Sequence, residues 1–189
     1  MIADKPNLLL TGQILTGKST IARALEEQFG YCRINTGEYI LNHLANTRPS
    51  ETEFTPADYR NAREELIALN GLLYFFSDNL PNPLAVDGVR SPAIVKELKK
   101  RNFYVINVIA TQEERLARST SRGSPAHTSR LVKHKVDNLA QLLAIDAHDA
   151  NELDEVKDLT DVRIHNGNND KIPEICKYII DQCLILRAI

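Results

Sequence analysis

Gly12-Gln13-Ile14-Leu15-Thr16-Gly17-Lys18-Ser19 is the stretch that decides the fold of this chain of 189 residues. It follows an apolar run, Asn7 to Leu10, that reads as a buried strand ending at Thr11-Gly12. It opens a helix expected from near Lys18 to Phe29, stopped by Gly30. The two glycines let the backbone turn so that successive N–H groups point at one anion, and the helix N-terminus adds unsatisfied donors and a favourable dipole. The pattern is Gly-x-x-x-x-Gly-Lys-Ser/Thr. With glycine at about 7% of residues, a chance match in a chain of this length is on the order of 1% or less. In this context Lys18 can reach the β- and γ-phosphates of a nucleotide and the Ser19 hydroxyl can ligate Mg²⁺.

Working outward, strand and helix signals alternate. Tyr31 to Ile34 reads as a short strand, followed by helical patterns at about 38–46 and 56–79. Thr55-Pro56-x-Asp58 opens the second of these with a capping residue, a proline at the first helical position and an acid in the first turn. Leu84 to Asp87 is a third strand, and Ser91-Pro92 starts a helix in the same way. Phe103 to Ala110 is a bulky, β-branched strand, and Thr111-x-x-Glu114 gives a capping box for a helix to about Ser121. Gly123-Ser124-Pro125 breaks it. A helix from about Ser129 to Ala144, an acidic helical stretch at 147–157, a strand from Val162 to His165 and a helix at 171–186 complete the order. Strands alternating with helices imply a parallel sheet covered on both faces.

Composition sets the class. Hydrophobic residues make up 43% and charged residues 25%, and a net charge of −2 offers no general attraction to nucleic acid or to an anionic membrane. Any phosphate binding must be local. Three cysteines are too few for a disulfide framework; Cys176 and Cys183, seven apart in one helical stretch, suit packing. Met1 to Pro6 carries no signal-peptide pattern and no apolar run reaches membrane-spanning length, so a reducing cytoplasm is the expected compartment. The five histidines show no metal spacing, and the acids from Asp146 to Asp161 read as a solvated helical face.

The remaining charged positions divide into two groups. Asp87 stands at a strand's C-terminal end, where it can hold Mg²⁺ through water or position an acceptor; Arg90 projects from the same edge and can clamp a phosphate bidentately. Arg115, Arg118 and Arg122 share a helix face at i, i+3 and i+7, and the breaker-rich segment after Arg122 suits a closing lid that brings cations in and keeps water out. A base-reading Asn-Lys-x-Asp segment is absent, which argues against a GTPase, and the length argues against an AAA-type ATPase module.

Together these residues resemble the nucleoside monophosphate kinase superfamily, in particular the adenylate-kinase-like and dephospho-CoA-kinase-like nucleotide kinases. Asn35-Thr36-Gly37-Glu38 is similar to the Thr-Gly-Asp segment that opens the acceptor region, and Ala62-Arg63-Glu64-Glu65 to the Arg-Glu-Glu helix within it. Asp87-Gly88-Val89-Arg90-Ser91 resembles the Asp-Gly-x-Arg-Ser after the third strand. Glu114-Arg115-Leu116-x-Arg118 with Arg122-Gly123 resembles the start of the lid, and Asp161 to Gly167 the late strand and loop beside adenine. Tyr39-Ile40-Leu41 departs from adenylate kinases, which place an arginine there; the second strand lacks the Asp-x-Asp of dephospho-CoA kinases.

The resemblance implies a P-loop NTPase fold, a three-layer α/β/α sandwich with a mostly five-stranded parallel sheet. It implies one kinase domain with a core at 1–36, 80–121 and 158–189, an acceptor-binding helical insertion at 37–79, and a lid with following helices at 122–157. Gly12, Gln13, Ile14, Leu15, Thr16, Gly17, Lys18, Ser19 and Thr20 would hold ATP, with Asn166 and Gly167 beside its base. Thr36, Gly37, Arg63, Asp87 and Arg90 would bind the acceptor. Lys18, Asp87, Arg118 and Arg122 would act in transfer, and Ser19 and Asp87 would serve Mg²⁺. The implied activity is ATP-dependent phosphorylation of a small nucleotide-type acceptor, a nucleoside or deoxynucleoside monophosphate or a dephospho-CoA-like molecule, by a monomer or homodimer with no nucleic-acid or membrane partner. The alternatives are a kinase for a non-nucleotide small molecule or a polynucleotide end, and an ATP-binding regulatory module without acceptor activity.

Overall fold

The computed structural model describes residues 5–51, 54–68, 71, 83–121, 136, 138–167 and 171–188. Five strands form one parallel sheet: β1 (Asn7–Thr11), β2 (Cys32–Asn35), β3 (Leu84–Asp87), β4 (Phe103–Ile109) and β5 (Val162–His165), in the spatial order β2-β3-β1-β4-β5. Seven described helices accompany them: α1 (Lys18–Phe29), α2 (Thr36–Thr47), α3 (Pro56–Ala68), α4 (Pro92–Lys100), α5 (Gln112–Ser121), α6 (Leu139–Lys157) and α7 (Ile172–Arg187). The expected three-layer α/β/α arrangement around a five-stranded parallel sheet is the observed one.

Alternation along β1 sorts the core into two halves. Leu8 and Leu10 face α1 and α7, packing with Ile21, Leu25, Ile106, Val108, Ile179 and both Cys176 and Cys183. Leu9 faces the other way, joining Val86 and Val105 beneath Ile40 and Leu44 of α2, Ala62 and Leu66 of α3, Leu98 of α4 and Val156 of α6. Because β1 pairs with β3 and β4 on its two sides, its C-terminal end lies in the centre of the sheet. That position is where chain reversal in a parallel sheet opens a ligand crevice.

Local chemistry fixes several boundaries. At α3 the expected cap is formed: the Thr55 N–H donates to Asp58 Oδ2 at 2.9 Å and the Asp58 N–H donates back to Thr55 Oγ1 at 3.2 Å. The Thr55 hydroxyl, donating to Asp58 Oδ2 at 2.6 Å, with the Thr55 N–H and an Arg48 contact, pulls the Asp58 carboxyl down to about 2. The Thr111–Glu114 box at α5 is reciprocal in the same way, at 2.7 and 3.2 Å. Asn35 caps α2 by accepting from the Glu38 N–H at 3.0 Å, which starts the helix two residues earlier than the hydrophobic pattern indicates.

Two expectations are corrected. The helix at 139–157 is continuous, with no break between 144 and 147, because Asn138 caps its start and no breaker follows. Nor is its acidic stretch simply a solvated face: Asp146 and Asp149 side chains are 13% and 10% exposed and each meets an arginine. The later part of the helix expected at 56–79, apart from Gly71, and the part of the lid from 122 to 135 lie outside the described residues. No described helix is long and apolar enough to cross a membrane.

Candidate functional site

The turn from β1 into α1 is held open by backbone conformation. Gly12, Leu15 and Gly17 have φ of 126°, 62° and 91°. A Cβ on Gly12 would lie 2.3 Å from the Val108 carbonyl oxygen, and one on Gly17 would lie 2.2 Å from Asn166 Nδ2. Only glycine fits at those two points. Leu15 occupies the left-handed region with a full side chain, a strained state of the kind that persists at ligand-binding turns. The loop's amides from residue 13 to 17 donate to no main-chain carbonyl among the described residues, and α1 begins at Gly17 with no side-chain cap. The result is a concave set of N–H donors at a helix N-terminus, which fits an anion.

Lys18 curls back over this loop. Its Nζ donates to the Gln13 carbonyl at 2.6 Å and to Thr16 Oγ1 at 3.4 Å, and the residue is 9% exposed. Thr16 Oγ1 in turn donates to the Gln13 carbonyl at 3.1 Å. The ammonium therefore sits across the mouth of the cradle. Ser19 and Thr20 lie in the first turn of α1, the Thr20 N–H donating to the Gly17 carbonyl at 3.1 Å. Donors and cation together fit an anion, and the Ser19 hydroxyl is the group beside them that could ligate a Mg²⁺. Among the described residues no cluster of three or more His, Cys, Asp or Glu side chains could hold a metal alone.

Two arginines of α5 clasp the loop from behind. Arg118 donates to the Leu15 carbonyl at 3.1 Å, to the Asn166 carbonyl, and to the Gly167 carbonyl at 3.4 Å. It thus joins the cradle to the loop after β5. Arg115, 1% exposed, donates from Nε to the Ile14 carbonyl at 2.8 Å and forks onto both oxygens of Asp146 at 2.8 and 2.6 Å. Asn166 is fully buried; its Nδ2 donates to the Thr16 carbonyl at 2.9 Å while Oδ1 has no partner among the described residues. Arg122 lies outside the described residues.

On the other side of β1, Asp87 closes β3 in register with Leu10 and is 2% exposed. Its Oδ2 accepts from Asn35 Nδ2 at 3.3 Å, and its carbonyl accepts from Thr36 Oγ1 at 2.9 Å. Gly37 begins α2 beside Tyr59 of α3, whose hydroxyl would lie 3.4 Å from a Cβ at that glycine. Burial pushes the Tyr59 phenol up, with Arg90, Arg63 and Asp87 all near enough to act on it. Gly37, Arg63, Asp87 and Arg90 therefore lie near Tyr59, and Thr36 is joined to them through the Asp87 carbonyl. Arg63 and Arg90 are engaged: Arg63 forks onto Glu152 at 3.2 and 3.2 Å, and Arg90 donates to Asp149.

Sequence reasoning missed Asn35, Tyr59, Asp146, Asp149 and Glu152. The signal for the last three was present, since acids every third residue share one helix face, but spacing alone does not say what that face meets. A cavity of about 450 Å³ adjoins the cradle from the β4 side, between Thr11, Gly12, Gln13, Asn107 and Gln112 on one wall and Leu143, Asp146 and Ala150 of α6 on the other.

A family model described as "AAA domain" matches residues 8–138. This corrects the expectation that the chain is too short for an AAA-type module, since that model is satisfied within its first 138 residues. No curated protein matches the chain. Among solved structures, shikimate kinase from Bacteroides thetaiotaomicron is 13% identical with a TM-score of 0.58, over 93% of this chain and 97% of that one. A gluconokinase from Sinorhizobium meliloti 1021 is 15% identical with a TM-score of 0.57, over 97% and 94%. Shikimate kinase from Acinetobacter baumannii, in complex with shikimate, is 19% identical with a TM-score of 0.55, over 97% and 94%. The likeness spans both chains nearly end to end, and it is a likeness of fold, the one shared with the nucleoside monophosphate kinases that the sequence resembles.

Proposed function

We propose that this chain, which belongs to the AAA domain family, transfers the γ-phosphoryl group of ATP to a small acceptor. The observation that carries this reading is the cradle between Gly12 and Ser19, in which the amides of residues 13 to 17 meet no main-chain carbonyl among the described residues, the turns have positive φ and Lys18 lies across the mouth. The amides and Lys18 bind the phosphates and neutralise charge as it shifts toward the leaving oxygen, and positioning with electrostatics is most of what phosphoryl transfer requires. Ser19, with Asp87 acting through water, would hold Mg²⁺, which would supply positive charge against the phosphates. Arg118 ties the cradle to Asn166-Gly167, the proposed seat of the adenine. Arg122 is proposed to reach the transferring group from the lid.

A nucleotide-type acceptor is the first reading, supported by the Asp87-Gly88-Val89-Arg90 segment beside Thr36 and Gly37. A non-nucleotide small molecule is the second. Its specific support is that Arg90 and Arg63, the groups assigned to an acceptor phosphate, already have carboxylate partners; the fold neighbours include kinases named for shikimate and gluconate. An acceptor-independent ATP-binding module remains the alternative from another class.

Lys18→Ala is the test. Its Nζ meets the loop and not the hydrophobic core, so the variant should keep its thermal melting point while acceptor-stimulated ADP release falls at least about a hundredfold. Undiminished turnover in a folded Lys18→Ala protein would refute the assignment.

A further inference from the structure

Three guanidinium groups from three separate elements are met by carboxylates from one face of α6. Arg115 of α5 meets Asp146, Arg90 after β3 meets Asp149, and Arg63 of α3 meets Glu152. The Arg115 and Arg63 pairs are bidentate, which is the geometry by which a guanidinium fork would otherwise hold a phosphate. A phosphomonoester arriving at Arg90 or Arg63 must displace bonds already made and then lie against the displaced carboxylates. A hydroxyl meets no such barrier, since a carboxylate accepts from O–H and a guanidinium edge donates to the oxygen.

The surroundings have the same character. Tyr59 offers a phenol beside Arg90, Arg63 and Asp87, and Arg63 Nε is buried without a partner among the described residues. Thr11, 1% exposed, has an unpartnered Oγ1 at the wall of the cavity that adjoins the cradle.

We propose that α6 is the specificity element of the acceptor site: Asp149 and Glu152 hold Arg90 and Arg63 in neutral pairs, so the site takes an uncharged polyhydroxylated acceptor and turns phosphomonoesters away. This rests on the phosphotransferase reading above and, of its two acceptor readings, takes the second. In the step, the acceptor hydroxyl oxygen bonds to the γ-phosphorus of ATP and its proton passes to water. The bond from that phosphorus to the β-phosphate oxygen breaks, its electron pair leaving on ADP, and nothing is oxidised or reduced.

The experiment measures ADP release with MgATP and matched probes: adenosine, glucose and inositol against AMP, glucose 6-phosphate and inositol phosphate. Binding of a non-hydrolysable ATP analogue is followed in parallel, for the wild type, Asp149→Asn and Glu152→Gln. The expected result is stimulation by at least one neutral probe, with kcat/KM at least tenfold above that of its phosphomonoester. Asp149→Asn should narrow this gap at least tenfold by lowering KM for the phosphomonoester more than it changes kcat. Glu152→Gln should move it the same way, and it serves where Asp149→Asn does not fold. A wild type that prefers the phosphomonoester, or variants that leave the ratio unchanged, would overturn the proposal. Analogue binding with no stimulation by either set overturns the acceptor assignment while leaving the cradle standing; loss of analogue binding overturns the cradle itself.

Discussion

The cradle end and the Asp87 end of this molecule, though they share the C-terminal edge of one sheet, are built by opposite means. At the cradle, the side-chain bonds that Lys18 and Thr16 make within the loop span two to five residues of chain. At the Asp87 end, Arg90 is held by a residue 59 positions away and Arg63 by one 89 positions away. The first region stores its function in backbone conformation, the second in charge pairs assembled by the fold. A single substitution should therefore reshape the Asp87 end more readily than the cradle.

The sharpest way to break this contrast lies in α6, which serves both ends. Asp146→Asn strips the partner from an arginine that is 1% exposed and also supports the loop at Ile14. An uncompensated buried charge costs about 3–5 kcal/mol, so the urea midpoint should fall steeply. Glu152→Gln removes the partner of Arg63 where the side chains are 18% and 35% exposed, and should cost no more than about 1 kcal/mol in the same assay. Equal losses would erase the distinction between a pair that holds the fold and a pair that tunes the site.

Asn166→Ala probes one of the long-range contacts the cradle relies on, beside those of Arg115 and Arg118. It leaves the Thr16 carbonyl without its buried donor, worth about 1–3 kcal/mol, and should weaken ATP-analogue binding roughly tenfold. Calorimetric titration showing unchanged affinity would mean that the loop's local bonds suffice. Leu15→Gly asks the reverse question. It relieves left-handed backbone at the cost of a floppier unfolded chain, and a gain of up to about 1 kcal/mol in unfolding free energy is expected, with nucleotide affinity retained.

The smallest effect is on the acceptor side, where Asp58 anchors α3. Its folded pKa of about 2 lies below the usual 3.8, so its contribution is present above pH 3.8 and is lost as pH falls toward 2. Amide exchange in the first turn of α3 should quicken between pH 4 and 2, and Asp58→Asn should remove that pH dependence.

The reading of local features held where the physics is local. Gly12 and Gly17 sit at positions where no Cβ fits, Thr55 with Asp58 and Thr111 with Glu114 form their caps, and β3 and β5 fall on the residues that the apolar runs marked. The acids of α6 were legible only as a helix face, because a one-dimensional charge pattern does not reveal that Arg63, Arg90 and Arg115 converge on it. Tyr59 was equally silent, an aromatic in a polar helix until α2 brought Gly37 against it.

By itself the chain's order of residues determined a parallel α/β sheet and a glycine-bearing turn into a helix N-terminus, since hydrophobic period, glycine freedom and helix capping act over a few neighbouring residues. The partners of the arginines, the burial of Arg115 and the company kept by Asp87 were decided only in three dimensions. Those depend on which faces of α3, α5 and α6 the packed sheet turns toward one another, and no spacing along the chain encodes that.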